Sequence, residues 1–384
     1  MKRILTLMLL TAFLFLLGAG MAEEASAKEY PFELNAKSAV LMDAETGTVL
    51  FEQNADAPLP PASVTKIMTL LLVMEALDSG RISLSDAVSV SEEAASMGGS
   101  QVFLEPGEAL TVEELIKCVV IASANDAAYA LAEHVAGSEE AFVRRMNLRA
   151  AELGMKNTHF ENTNGLDDTV AEHLTSARDI AIMSRALISH ERILDYTTIW
   201  QDSIRGGSFV LTNTNRLVRF YPGATGLKTG STSKALFCIS ATAKREGMHL
   251  IAVIMGAPTR DIRNAEAKKL LDYGFSEYAV YQADGGELSR LSVTGGDKQD
   301  TALRLTPFSA LLGKGEEKRV TVHAVLPKSV AAPVRSGDAV GYAEYEVDGK
   351  TIGRADIIAT EDVARIGFWE LIYRLFANMV GAFE

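Results

Sequence analysis

Hydrophobic positions recur along this chain in two rhythms, and the change from one to the other divides it. In "KSAVLMDAETGTVLFEQN" apolar residues fill two stretches around Glu45-Thr46-Gly47. Two strands joined by a turn are expected there. Next, "PPASVTKIMTLLLVMEAL" is apolar over most of its length, with Pro60 and Pro61 marking the start of a helix. "TVEELIKCVVIASANDAAYALAEHVAG" is helical in character, opens on a capping box made by Thr111 and Glu114, and stops near Gly137. Two more helical patterns, "SEEAFVRRMNLRAAELG" and "TSARDIAIMSRALISH", flank the Asn-rich loop "FENTNGLDD".

"KALFCISATAKREGMHLIAVIMGAP" returns to β-rich runs joined by a polar turn ending in Gly247, the pattern of a long hairpin. "NAEAKKLLDYGF" supplies a closing helix. Strands at both ends of a mostly helical stretch predict an α+β domain over residues 28–280, helices packed on an antiparallel sheet. From Leu288 the texture changes. "RVTVHAVLP" alternates, and "GYAEYEVDGKTIGRADII" sets Asp348-Gly349 between two strand-like runs. A small all-β domain is expected over residues 285–360.

The two ends carry patterns of their own. Lys2 and Arg3 precede an apolar run from Ile4 to Leu17, followed by Ala25-Ser26-Ala27. This is the order of a secretory leader cleaved after Ala27, and the run falls short of the roughly 20 apolar residues of a span. Residues 1–27 are therefore expected to be removed and the rest to work outside the cytoplasmic membrane. Within residues 362–384, Glu370, Arg374 and Asn378 fall at i, i+4 and i+8, a polar stripe on an apolar helix. That helix is expected to lie in a membrane surface. A helix packed back on the β domain, or one spanning the membrane, is the alternative.

Composition narrows the chemistry. A net charge of −13 argues against nucleic acid, whose phosphates demand a basic footprint. The six histidines show no paired metal spacing, so zinc hydrolysis is disfavoured and no cofactor is expected. Cys118 and Cys238 sit in apolar runs and read as buried free thiols rather than a disulfide.

One polar residue stands out inside the first apolar helix. Lys66 follows Ser63 by three positions. The plain reading is a lysine that snorkels to solvent. The other is an activated nucleophile, because a serine hydroxyl needs a base to take its proton. Lysine can be that base where burial or a second cation lowers its pKa. Ser-x-x-Lys occurs twice, at Ser63–Lys66 and Ser231–Lys234. The first pair shares a helix face. The second precedes an expected strand, where the two side chains point to opposite faces. A second cation appears at Lys228-Thr229-Gly230, and Ser123-Ala124-Asn125 lies between. The ordered set S-x-x-K, S-x-N, K-T-G matches the signature of serine β-lactamases and penicillin-binding proteins.

On these motifs, and on "NADAPLPPASVTKIMT", "FENTNGLDDTVAEHLTSARDIAIMSRALI", "TNTNRL" and "GLKTGSTSKALFCISATAKREGMHLIAVIMGA", the chain resembles a known family. These are the low-molecular-mass penicillin-binding proteins that are serine-type D-alanyl-D-alanine carboxypeptidases. The resemblance implies a β-lactamase/transpeptidase-like catalytic domain followed by the small all-β domain. It implies a peptidoglycan stem peptide ending in D-Ala-D-Ala as substrate, β-lactams as covalent inhibitors, and a tail holding the enzyme on the outer face of the cytoplasmic membrane. Carried onto this sequence, Ser63 would form the acyl-enzyme, Lys66 would accept its proton and Ser123 would shuttle a proton. Asn125 would hold the substrate amide, while Lys228, Thr229 and, less directly, Arg263 would bind the terminal carboxylate. Gly230 would let the strand approach the substrate, and the backbone N–H groups of Ser63 and Ser231 would form the oxyanion hole.

Plainer readings stand beside these. Ser123 and Asn125 could simply interrupt a helix, Lys228 could be solvated, and Arg263 could pair with Asp261 or Glu266. A serine β-lactamase would share Ser63, Lys66 and Lys228 but asks for Glu-x-x-x-Asn after the second motif. Here Glu161 is followed four positions on by Gly165, and the second motif is Ser-Ala-Asn. A transpeptidase or endopeptidase shares the motifs outright, and a silent wall-binding protein would need none of the catalytic side chains. One departure from the family pattern is Leu236, where many members carry glycine.

Overall fold

Apolar runs too continuous to alternate belong to strands covered on both faces, and such strands make the centre of the larger, N-terminal part. The computed structural model describes residues 30–370 together with Ile372, Tyr373 and Phe376; the expected leader lies outside the described residues. β1 (Ser38–Asp43) and β2 (Val49–Gln53) form the expected first hairpin. Asp43 Oδ1 fixes its turn by accepting from the Thr46 backbone N–H and hydroxyl. Two small ribbons follow, β3 (Ala87–Ser89) with β4 (Ala109–Thr111) and β5 (Gln201–Ile204) with β6 (Phe209–Thr212).

β7 (Ala224–Thr232), β8 (Leu236–Arg245) and β9 (Met248–Ala257) complete an antiparallel sheet in the order β2-β1-β9-β8-β7. β8 and β9 are the expected long hairpin, turning at Glu246-Gly247. The hydrophobic pattern did not mark β7 as a strand, although the resemblance implied one at Gly230. It pairs along β8, Lys228 opposite Ser240 and Gly230 opposite Cys238, and so brings the third motif to the sheet's edge. Leu236, the departure noted above, has φ +59 where β7 turns into β8. Glycine adopts that conformation without steric cost, whereas an L side chain there costs roughly 1–2 kcal/mol.

The helices that matter for the site are α1 (Lys66–Asp78), α2 (Val112–Ile121), α3 (Asn125–Ala136), α4 (Glu139–Glu152), α5 (Ala177–Ile188) and α6 (Arg260–Glu277). α1 is apolar over most of its surface and buried except at Glu75 and Asp78, its side chains Ile67, Leu71 and Met74 lying in the main core. α5 packs on β9 and β1, and α6 on β9 and β8. The capping box at Thr111 and Glu114 forms with both bonds made, and Gly137 closes α3 in the left-handed conformation. The helical run expected between them is two helices. The break falls at Ser123, whose φ is +63, and the Asn125 backbone N–H turns away to the Ser100 carbonyl.

Beyond α6 the chain is all β. β10 (Tyr278–Ala283) pairs with β13 (Phe308–Gly313). β11 (Gly286–Thr294), β12 (Asp300–Leu305), β14 (Val320–Val325), β15 (Ser329–Ala331), β16 (Ala339–Val347) and β17 (Lys350–Ala359) make a second sheet, ordered β14-β16-β17-β12-β11-β15. The β16–β17 hairpin turns at Asp348 and Gly349, both with positive φ, as a tight primed turn requires. The expected domain boundary at 280 falls inside β10; the change of texture comes at Tyr278, where α6 gives way to a strand whose partner is β13.

The tail also begins later than the pattern suggested. Val363 is fully buried and bridged to Val334, and the Ile366 N–H bonds to the Gly295 carbonyl. Helix starts at Phe368, and Phe368, Trp369, Tyr373 and Phe376 are exposed, Trp369 by 81%. Among the described residues no helix is long and apolar enough to cross a membrane, and no group of acidic, histidine or cysteine side chains could hold a metal. Cys118 and Cys238 are free and buried.

Candidate active site

Ser63 sits in a one-turn 3₁₀ helix, Ala62–Thr65, that runs straight into α1. In such a turn residues i and i+3 stack above one another, so Lys66 at the head of α1 is aimed at Ser63. Lys66 Nζ lies 2.9 Å from Ser63 Oγ, 2.5 Å from Asn125 Oδ1 and 2.9 Å from the Asn164 backbone carbonyl. The last two are acceptors only. Ser63 Oγ alone can either accept from the amine or donate to it. When Lys66 is neutral, its two hydrogens therefore serve the two carbonyl oxygens and its lone pair faces the serine.

The electrostatics favour that neutral form. Burial holds the Lys66 pKa well below the ordinary lysine value, and the Lys228 ammonium lowers it further, against a smaller opposing pull from Asp126. Lys228 projects from β7 and donates to Ser123 Oγ at 2.8 Å and to the Thr229 carbonyl at 2.8 Å. It is fully enclosed as well, and burial, with the nearby Arg263 charge, lowers its pKa to about 7. Neither lysine snorkels.

A cleft of about 170 Å³ gathers Ser63, Ser100, Ser123, Thr214, Thr229, Gly230, Ser231, Arg260 and Arg263. Gly230 lies flush against the turn that carries Ser63. A Cβ there would stand 2.8 Å from the Ser63 nitrogen and 2.9 Å from the Pro61 carbonyl, so only glycine lets β7 come this close. Arg263 does not pair with Asp261 or Glu266. It is buried, its guanidinium held by Asn264 Oδ1 at 2.9–3.1 Å and facing the Cys238 carbonyl at 3.5 Å. Lys234, the lysine of the second Ser-x-x-Lys, donates instead to the Asp167 backbone carbonyl.

Asn125 is engaged at both ends, its oxygen by Lys66 and its Nδ2 by the Gly98 carbonyl at 2.7 Å. It thus ties the lysine to the 98–104 segment on the rim. Several partners escaped the sequence reading. Asp126, buried beside Asn125, accepts from the Val102 and Leu104 N–H groups at 3.0 and 3.1 Å and holds the same rim segment. Thr214 Oγ1 accepts from Thr229 Oγ1 at 2.8 Å. Asn164 acts through its backbone, which no side-chain pattern announces. Asp126 left a signal, a carboxylate in a helix's first turn beside a motif residue, and Thr214 and Asn164 lie in the stretches "TNTNRL" and "FENTNGLDD". Glu161, the candidate water-activating acid of a β-lactamase, is exposed and accepts the Glu172 N–H within its own loop.

Residues 22–259 match the family described as D-alanyl-D-alanine carboxypeptidase, and residues 275–365 match the C-terminal domain of penicillin-binding protein 5. The chain belongs to the D-alanyl-D-alanine carboxypeptidase family. Within it, the D-alanyl-D-alanine carboxypeptidase DacF of Bacillus subtilis is 42% identical over 386 residues, covering 98% of this chain and 99% of that one. The crystal structure of penicillin-binding protein 5 from Haemophilus influenzae is 33% identical, covers 88% of this chain and all of that one, and superposes with a TM-score of 0.74. Penicillin-binding protein D2 of Listeria monocytogenes, solved in its ampicillin-bound form, is 32% identical; the match covers 64% of this chain and 100% of that one, with a TM-score of 0.59. As a member of this carboxypeptidase family, the chain has an α+β catalytic domain followed by a domain rich in strands.

Proposed function

We propose that this protein is a serine-type D-Ala-D-Ala carboxypeptidase that removes the terminal D-alanine from peptidoglycan stem pentapeptides through an acyl-enzyme on Ser63. The observation that carries the reading is the position of Lys66 Nζ, 2.9 Å from the Ser63 hydroxyl and within bonding distance of two carbonyl oxygens, so that the lone pair of a neutral amine would face the serine. As Ser63 Oγ bonds to the carbonyl carbon of the penultimate D-alanine, its proton passes to Lys66 Nζ. The Ser63 and Ser231 N–H groups receive the developing oxyanion. Collapse breaks the C–N bond, and Ser123 relays a proton to the departing D-alanine nitrogen. Water then attacks the ester with the same groups in reverse, which frees the shortened peptide and restores the Ser63 hydroxyl.

Thr229 and Arg263 line the cleft and Lys228 lies behind it, bonded to Ser123 and to the Thr229 carbonyl. These groups would take the terminal carboxylate, and Asn125 would hold the substrate amide by giving up one of its bonds to Lys66 or the Gly98 carbonyl. β-Lactams would acylate Ser63 by the same attack, with the ring amide as the bond broken. The exposed apolar side chains at Phe368, Trp369, Tyr373 and Phe376 support a tail that rests on the outer face of the cytoplasmic membrane by apolar burial. The test is incubation with a pentapeptide ending in D-Ala-D-Ala and mass analysis. Loss of one alanine is expected, and Ser63→Ala should abolish it. A product joined to an added amine would instead mark a transpeptidase.

A further inference from the structure

The turn that carries Ser63 is held in a conformation that side chains avoid, with Ala62 at φ +49. Little inside the turn enforces this. Thr65, the residue before Lys66, offers no side-chain cap to the helix it opens. Its hydroxyl leaves the helix and meets His173 Nε2 at 2.8 Å, in a fully buried position. His173 is 2% exposed. Its other ring nitrogen, Nδ1, accepts the Glu161 backbone N–H at 3.0 Å, and Phe160 packs edge-on against the ring with centroids 5.7 Å apart. A backbone N–H can only donate. Nδ1 is therefore the unprotonated nitrogen, Nε2 carries the hydrogen, and Thr65 Oγ1 is its acceptor.

Three further contacts fasten the same loop to this turn and to the head of α1. Thr69 Oγ1 donates to the Thr163 carbonyl at 2.6 Å, Lys66 reaches the Asn164 carbonyl, and Gly165 lies against the Ala62 carbonyl. Of the links from this loop, only the one through His173 is a side-chain bond on Thr65, the residue between nucleophile and base.

We propose that His173 is a positioning residue for acylation, which through Thr65 sets the turn that presents Ser63 to Lys66. It touches neither substrate nor reacting atoms and lies in none of the three motifs. The proposal rests on the reading of Ser63 as nucleophile. Releasing Thr65 would let the Ala62 turn relax, displacing the hydroxyl from the lysine lone pair and the Ser63 N–H from the oxyanion. Both losses fall on bond making, so kcat and the acylation rate should suffer while KM stays.

The test compares His173→Ala, His173→Gln, Thr65→Val and the Ala/Val double variant of the full chain, reading D-alanine release, the benzylpenicillin acylation rate and the thermal midpoint. His173→Ala and Thr65→Val should each slow acylation, by up to about 10²-fold, as a misplacement of about an ångström does. The double variant should be no slower than the slower single one, because both remove one bond. Glutamine can donate through Nε2 and accept through Oε1, so His173→Gln should restore much of the rate. If His173→Ala fails to fold, Thr65→Val and His173→Gln still decide. Wild-type acylation in Thr65→Val, effects that multiply in the double variant, or glutamine no better than alanine would overturn the proposal. Acylation that persists in Ser63→Ala would instead sink the nucleophile assignment, whatever His173 does.

Discussion

Lys228 Nζ donates to Ser123 Oγ across 2.8 Å, joining two motifs 105 residues apart. The bond leaves an enclosed ammonium with no carboxylate partner among the described residues, and its pKa falls to about 7. In the free enzyme the charge is lost as pH rises through that value, so kcat/KM for a substrate with a free carboxylate should decline above about 7. A bound carboxylate holds the proton on, and kcat should decline only at higher pH. Lys228→Arg should remove the basic limb of kcat/KM. Identical limbs in kcat and kcat/KM would count against a carboxylate at Lys228.

The same lysine shapes stability. Its pKa is lower folded than unfolded, so between about 7 and 10.5 the unfolded chain binds more protons and stability rises with pH. Lys66, lowered in the same direction, adds to the slope. Lys228→Met should therefore gain most over wild type at or below pH 7, with the gain fading toward pH 10.5. Urea unfolding of both proteins at neutral and alkaline pH measures it.

Lys66→Ala should lose acylation by about 10²–10⁴-fold, the usual loss on removing a general base. The protein should stay folded, since a buried amine with a lowered pKa is itself a burden on stability. Intact-mass kinetics with benzylpenicillin give the rate. A wild-type rate would mean that another group takes the proton.

Gly165 has φ +86, and a Cβ there would lie 1.9 Å from the Ala62 carbonyl. Gly165→Ala should cost about 1–3 kcal/mol, as overpacking a filled site does, and slow acylation by pushing on the residue before Ser63. Thermal denaturation and penicillin labelling check both. An alanine variant equal to wild type would show that the loop yields.

The tail makes a prediction with a boundary. Val363 and Ile366 are bonded into the β domain, so the cut that tests membrane binding belongs after Gly367. Lacking residues 1–27, the chain through Glu384 should sediment with liposomes, while one ending at Gly367 should stay in solution and still release D-alanine. Equal partitioning of the two would end the idea of surface anchoring.

What the sequence revealed were features enforced locally. The capping box at Thr111, the Asp348-Gly349 turn and the long hairpin are each set by a few neighbouring residues. Ser63 and Lys66 were paired for the same reason, three positions apart on one helical face. A break at Ser123 was open to the sequence reading only as one alternative, because what fixes it is distant: the Asn125 N–H bonds to the Ser100 carbonyl and not within the helix. β7 left no periodic signal because Gly226, Lys228 and Gly230 weaken its strand pattern, and pairing with β8 overrides that. Arg263 read equally as a surface ion pair, since sequence does not tell which helix face meets a cleft.

β1 is paired along its length with β9, Ala39 lying opposite Ile254. A chain emerging N-terminus first thus exposes its serine long before the strand that completes the central sheet. Contacts between segments so far apart in sequence form slowly, because the loop between them must close first. Until then Gly230 is not beside Ser63 and Lys228 is not beside Ser123. Lys66 already neighbours the serine, but without Lys228 and the packed sheet it lacks the burial and the nearby charge that lower its pKa, and no strand frames a substrate. Susceptibility to penicillin should therefore act as a clock for the closing of the sheet.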